Sequence, residues 1–389
     1  MPTTWNGSLS VNELFVSIFN MIIGQEVYSK NVGDMFSSLV NRARIDGTML
    51  GDTYLKYSTD ALATNEFDPT GLLNNGQQAN VLEQHRPKDP FVQAITIDTF
   101  RQIPITIDHY FTKRAFSTDS AFADFNSVTL QWLRDTKRIY DATTYNVFVG
   151  STVPGTASQK VKADIVTVAA NASAAEKEAT RRTNALIIAK TIADLMVKIK
   201  DVSKDYNDLG YYRAFDPSDL MIIWNADWVN ELRKMDLPTV FHKDGLLEIK
   251  EENILPAKYF GYKSGPLFSA STIGRALVEQ SFTYSGTNYH LWPGEIMPAN
   301  HTTLASVTGY EGQYTAVANA STAPATVPDS IICKIIHKRS IPYMSGFETE
   351  TEFINPKLLN ENHDLTFGHN PLQYLYNYPM IAVYTGTTP

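Results

Sequence analysis

FVQAITIDTFRQIPITIDHYFTKRAF at residues 91–116, followed by DSAFADFNSVTLQWLRDTKRIYDATTY at residues 119–145, is the stretch on which the fold turns. In the first segment Ile95, Ile97, Ile103, Ile105 and Ile107 return every second position, while Thr96, Asp98, Thr106 and Asp108 take alternate places; this is the period of a half-buried strand. In the second segment the period lengthens to three or four, through Phe122, Phe125, Thr129, Trp132, Thr136, Ile139 and Thr143, which predicts an amphipathic helix over 119–145. Such a helix is roughly 40 Å long, longer than a compact core requires, so it is expected to serve as a beam. A ribbon feeding a beam points to a building element and away from a catalyst.

Composition sets the bounds. A chain of 389 residues exceeds one average core, so two or three substructures are expected. Hydrophobic residues at 43% and charged residues at 19% are those of a folded chain and exclude wholesale disorder. Cys333 is the single cysteine, which excludes an intramolecular disulfide, and its place in the apolar run Ile331–Ile336 predicts a buried, inert thiol. Leu14–Ile23 is apolar but carries Ser17 and Asn20 and lacks a basic lead or a small-residue cleavage site, so neither a signal peptide nor a membrane span is expected there. Without export, the Asn-x-Ser/Thr triplets at Asn6, Asn171, Asn300 and Asn319 carry no weight as glycan sites, and a cytoplasmic setting is expected. The formal charge of −8 opposes a protein built to grip phosphates; the basic pairs Lys113–Arg114, Arg181–Arg182 and Lys338–Arg339 are expected as solvated surface or subunit ion pairs.

Working outward from the ribbon, residues 1–44 give short helices at Asn12–Phe19 and Gly33–Arg44 and form an arm. Met49–Ser58 predicts a strand, and the turn-rich interval up to Pro90 separates it from the second strand, so the two form an extended loop with its tip at Asn65–Arg86. Pro104 removes a backbone donor, which is tolerated on an edge, so the ribbon is expected to have an open edge. Beyond the beam, Gly150–Arg182 reads as a connection with a short strand at Ile165–Val168. A second helix capped by Thr183 follows, with the stripe Ile188, Ile192, Leu195, Ile199 and Val202. Leu220–Trp224 is a continuously apolar strand, and Asn225 caps a short helix that turns Trp228, Leu232 and Met235 inward. Further strands are predicted at Leu267–Ala270, Thr283–Tyr284, Cys333–Ile336, Glu348–Ile354 and Met380–Tyr384, and a loop at Ala316–Pro328.

Chemical signatures are missing: there is no phosphate-binding glycine loop, no Gly-x-Ser-x-Gly and no His-Glu-x-x-His. No two of the 8 histidines have the helical spacing that presents both to one metal. His363, Asp364 and His369 are expected in a loop with turn and capping roles. The acidic groups Glu248/Glu251/Glu252 and Glu348/Glu350/Glu352 are expected on solvated surfaces, the second as one face of a strand opposite Phe347, Thr349 and Phe353. The late aromatics Tyr374, Tyr376, Tyr378 and Tyr384 leave core, sugar platform and subunit contact open.

This order of arm, extended loop (Met49–Ser58 with Gln93–Phe111), spine helix (Asp119–Tyr145), second helix leading to Asp219–Asn225, and late strand at Gly346–Ile354 resembles the major capsid proteins of tailed bacteriophages, most of all those of small short-tailed phages. The resemblance implies the α+β Hong Kong 97-type fold: an N-terminal arm at 1–45, an extended loop at 46–115, a peripheral domain with the spine helix at 116–182 and 340–389, and an axial domain at 183–339. It implies a virion subunit, assembled in the host cytoplasm, that forms pentamers and hexamers of an icosahedral head around double-stranded DNA, with a separate scaffolding protein and a portal as partners. DNA contact is expected to be non-specific, and no cofactor, metal, membrane or catalytic residue is expected. Subunit contacts are expected at Phe67, Leu72 and Leu73 in the loop tip and at Pro104. In one branch of the family a loop lysine crosslinks to a neighbour's asparagine; Lys56 and Lys88 match that lysine by position alone, with no motif around them. Two rivals remain: a tail or baseplate protein, and a hydrolase using His363, Asp364 and a serine.

Overall fold

Leu220–Asn225, Ile331–His337 and Met380–Tyr384 are apolar at almost every position, the pattern of strands covered on both faces. The structure is a computed structural model that describes residues 38–46, 53–62, 64, 88–108, 119–167, 171–233, 253–256, 259–260, 273–276, 280–284, 287–292, 314–317 and 331–386. In it these segments are β6, β12 and β15, the buried centre of a five-stranded sheet. Its order is β5 (Lys160–Lys162), β15, β12, β6 and β7 (Ile254–Leu255), antiparallel in the middle and parallel at both margins.

One face carries Ile222, Trp224, Ile335, Ile381 and Val383 and packs on helix α3 (Ala174–Lys200) through Ile188, Ile192, Leu195 and Ile199. The other carries Met221, Ile223, Ile336, Met380 and Tyr384 and packs on Tyr145, Val147 and Val149 of helix α2 (Asp119–Ser151). Each fully buried Ile or Leu in this sandwich contributes about 1.5–3 kcal/mol relative to exposure. The stripe predicted for α3 is therefore the observed one, save Val202, which lies past the helix end and is exposed. The helix begins nine residues before the predicted Thr183. Ser173 is its N-cap, in a capping box with Glu176, and the Thr183 hydroxyl instead donates to Ala179 O at 3.1 Å.

The second sheet has the order β1 (Arg44–Asp46), β13 (Tyr343–Asn355), β14 (Asn360–His369) and β4 (Thr99–Asp108). Alternation decides its faces. Ile103, Ile105, Ile107, Leu365 and Phe367 share the side toward α2, where Tyr140 meets Phe367 edge-on at 5.5 Å between centroids. Gln102, Pro104 and Thr106 point away and are exposed. Pro104 sits in β4, an edge strand of this sheet among the described residues, where its missing donor is tolerated; it marks an edge, though of this sheet and not of the ribbon for which it was expected. The predicted strand through Gln93–Phe111 is in fact two strands. It breaks at Ile97–Asp98; β3 (Phe91–Thr96) pairs with β2 (Thr53–Ser58) as the ribbon, and β4 joins the second sheet.

Helix α2 exceeds the prediction by six residues, and at 33 residues spans about 50 Å. Its buried row is shifted by one position from the expected stripe, to Leu133, Lys137 and Tyr140, while Trp132, Thr136 and Ile139 are half-buried. Thr136 and Thr143 satisfy their own hydroxyls on Trp132 O and Ile139 O, each at 2.7 Å, so threonine on this helix does not mark the core side. From Tyr140 to Gly150 it is buried almost all round, between the two sheets.

Among the described residues the other helices are α1 (Ser38–Ala43) and α4 (Ala226–Arg233), the latter capped by Asn225 Oδ1 accepting from Asp227 N at 3.2 Å. Val229 is the core residue of α4, with Trp228 half-buried at the cluster margin. The hairpin of β9 (Gln280–Tyr284) with β10 (Thr287–Leu291), and the antiparallel pair of β8 (Ile273–Ala276) with β11 (Tyr314–Val317) that encloses it in sequence, lie between β7 and β12. The strand expected at Ile165–Val168 is instead β5, upstream at Lys160–Lys162. The loop expected from Ala316 starts inside β11. Asn12–Phe19, Asn65–Arg86, Leu232, Met235, Glu248–Glu252 and Leu267–Ala270 lie outside the described residues or side chains.

Candidate assembly interface

The ribbon is half docked and half bare. On its inner side Ile95 and Ile97 are buried against Met344 and Leu375. Gln93 Nε2 donates to Tyr374 O at 3.0 Å, and Gln373 Nε2 donates to Ala94 O at 2.9 Å. Lys56 lies 5.4 Å from the Tyr378 ring centroid, so this lysine is engaged within its own chain. On the outer side Leu55, Tyr57 and Val92 are exposed, Tyr57 at 59%, while Tyr54 is exposed on the same face as its partner Ile95. Among the described residues neither β2 nor β3 has a second strand partner, so the ribbon offers two open edges beside these apolar groups.

A second bare region is the turn of the β13–β14 hairpin. Phe353 and Ile354 at the end of β13 and Leu358 and Leu359 in the turn are exposed, Phe353 at 64% and Leu358 at 60%. Leu359 adopts φ 52°, a left-handed conformation that an ordinary side chain enters only at a cost of roughly 1–3 kcal/mol. Four neighbouring large apolar side chains in water on one turn differ from the scattered surface leucine that needs no explanation. Pro104, in the edge strand beside β14, is exposed as well, whereas Phe67, Leu72 and Leu73 lie outside the described residues.

These regions project from a stiff frame. The α2 end that passes between the sheets is held by polar groups. Lys137 pairs with Glu348; Tyr343 OH donates to Asp141 Oδ1 at 2.5 Å; Tyr145 OH donates to Ile341 O at 3.1 Å. Burial raises the Asp141 carboxyl above its ordinary range, against the Tyr343 hydrogen bond and the charges of Lys137 and Arg44. Glu348, Glu350 and Glu352 thus lie on the α2 side of the sheet, in register with Phe367, Leu365 and His363; they are solvent-accessible, as expected, but Glu348 has a structural partner.

The strongest polar feature is one the sequence reading missed. Lys334, in the middle of β12, is fully buried, and its Nζ donates to Val149 O and Gly150 O at 2.6 Å each and to Thr152 O. Those carbonyls are the unsatisfied end of α2, so a lysine from the central strand caps the spine helix. Gly150 is fixed by the same junction: a Cβ there would stand 2.0 Å from Tyr259 O. The available signal was a lysine inside Ile331–Ile336, a run with no other charge.

His363, Asp364 and His369 are in strand β14, not a loop, and alternation separates Asp364 from the two imidazoles. His369 is tied to Tyr140 OH at 2.9 Å, and the hydrolase reading loses its His363–Asp364 pair because the two side chains lie on opposite faces of β14. The late tyrosines divide: Tyr384 is core, Tyr378 stacks on His337 at 4.3 Å, and Tyr374 OH donates to Asp208. Cys333 is buried and its thiol pushed up by burial, as an inert thiol should be. No described helix is long and apolar enough to cross a membrane.

Comparison with known proteins agrees with this frame. A chain of the capsid of Staphylococcus phage Andhra is similar in fold, with a TM-score of 0.56 at 10% identity, covering 99% of this chain and 95% of that one. So is a chain in the structure of the head fiber and inner core protein gp22 of bacteriophage P68, with a TM-score of 0.55 at 11% identity, covering 98% and 90%. These likenesses establish the Hong Kong 97-type capsid fold. No curated protein matches the sequence. A family model described as Phi29-like phage major capsid protein matches residues 4–369. The chain therefore belongs to the Phi29-like phage major capsid proteins, as a structural subunit of the virion head and not an enzyme.

Proposed function

We propose that this capsid subunit assembles by burying its outer ribbon face and its β13–β14 turn against copies of itself, as pentamers and hexamers of an icosahedral shell. The observation that carries the reading is the pairing of open strand edges, among the described residues, with exposed Leu55, Tyr57 and Val92 on the outer face of a ribbon whose inner side is already docked. In this reading the axial domain is centred on 183–339, with β5 and β15 completing its sheet, the peripheral domain on 116–182 with 340–389, with β4 joining its sheet, the rest of 46–115 is the extended loop and 1–45 the arm. Phe67, Leu72, Leu73 and Pro104 remain subunit contacts in this proposal. A separate scaffolding protein and a portal complete the assembly. A net charge of −8 favours weak, sequence-independent contact with the double-stranded DNA inside, suited to a genome that must leave again.

The test is sedimentation and negative-stain imaging of the full chain, alone and with its scaffold. Wild type is expected to form capsomers or shells, and Tyr57→Glu to remain monomeric with unchanged far-ultraviolet circular dichroism. Shells formed equally well by Tyr57→Glu and by Phe353→Glu would remove both surfaces from the interface.

A further inference from the structure

Near the turn of the β13–β14 hairpin, three potential ligands converge on the α2 side of the second sheet. Glu352 and His363 are direct cross-strand partners, and Glu361 lies two residues before His363 on the same face. The ligand atoms of all three lie within 4.8 Å of one another, and His363 Nε2 stands 3.0 Å from Glu361 Oε1. The imidazole is 7% exposed, set between Glu352 on one side and Ile105 of β4 on the other, while Glu352 is open to solvent. Beyond Ser345 strand β13 has no further strand partner among the described residues, so the free edge gives an ion a path to the glutamates.

The carboxyl groups of Glu352 and Glu361 stand close together beside the imidazole, and a divalent cation held by both would balance their charge. Two carboxylate oxygens and one nearly buried imidazole, with the remaining positions facing water, are a donor set for zinc and neighbouring first-row ions. Calcium, which takes oxygen ligands, would not use the histidine.

We propose that Glu352, Glu361 and His363 form a transition-metal site, with zinc-like preference, that clamps β13 to β14 beside the exposed turn.

The test is equilibrium dialysis of the full chain against Zn²⁺, with thermal melts in parallel. Wild type is expected to hold one more equivalent of zinc than Glu352→Gln, Glu361→Gln or His363→Gln. Zinc should raise the melting temperature of wild type but not of Glu352→Gln. Glu352 is at the surface, so this variant is expected to keep the wild-type circular dichroism even if His363→Gln does not. Asp364→Asn, on the opposite face of β14, should bind as wild type does, and excess Ca²⁺ should leave the zinc in place. Equal zinc stoichiometry in wild type and Glu352→Gln, loss of zinc in Asp364→Asn, or displacement by Ca²⁺ would each overturn the site.

Discussion

The five-stranded sheet and the projecting ribbons are built from similar apolar residues but finish their burial in different ways. In the sheet, Trp224, Ile335 and Ile381 are covered by α3 on one face, and Ile223, Ile336 and Met380 by α2 on the other, all within one chain. In the ribbon and the hairpin turn, Tyr57, Val92, Phe353 and Leu358 meet solvent. Internal apolar burial stabilises the folded chain; external apolar exposure is free energy held for association. A substitution in the first region should therefore act on folding, and one in the second on assembly.

The largest effect is expected from Trp224→Ala. It opens a cavity at a fully buried position where three segments meet, and should cost about 3–5 kcal/mol in chemical denaturation. Lys334→Met comes next. It leaves the carbonyls of Val149, Gly150 and Thr152 without their donor and should cost about 1–3 kcal/mol. This variant also carries a pH signature. Burial lowers the Lys334 ammonium from 10.5 to about 7, so between those values the unfolded chain holds a proton that the folded chain has released. Wild-type stability contains a component that rises with pH across that window, and Lys334→Met lacks it. Denaturation at pH 7 and pH 9 should show the gap between the two proteins widening with pH. Ser173→Ala removes the N-cap of α3 and should cost about 1 kcal/mol, read as a lower melting temperature. Phe353→Ser should stay within about 0.5 kcal/mol of wild type as a dissociated chain, yet fail in shell assembly. A large folding defect in Phe353→Ser would erase the contrast between the regions.

Local pattern carried the sandwich. The apolar runs Leu220–Trp224, Cys333–Ile336 and Met380–Tyr384 became its central strands, and Ile188, Ile192, Leu195 and Ile199 became the buried face of α3, because strand and helix periods are written in adjacent residues. The candidate interface was only partly legible. Pro104 announced an edge, but pairing of β4 with β14 rather than β2 is a matter of long-range register. The side of α2 turned inward was misjudged for a related reason: its buried row includes Lys137 and Asp141, whose charges are met by Glu348, Tyr343 and Arg44 from distant strands.

The amino-acid order alone therefore determined the central strands and the two long helices, the poverty of catalytic signatures and the resemblance to a shell subunit. The tertiary structure alone decided that Lys334 is a core residue, that Glu352, Glu361 and His363 meet, and that one side of the ribbon is docked while the other is bare. The physical reason is common to the first two. A polar group in an apolar setting is tolerated only when its partner is supplied there, and here the carbonyls of 149–152 and the carboxylate of Glu352 arrive from other segments of the chain.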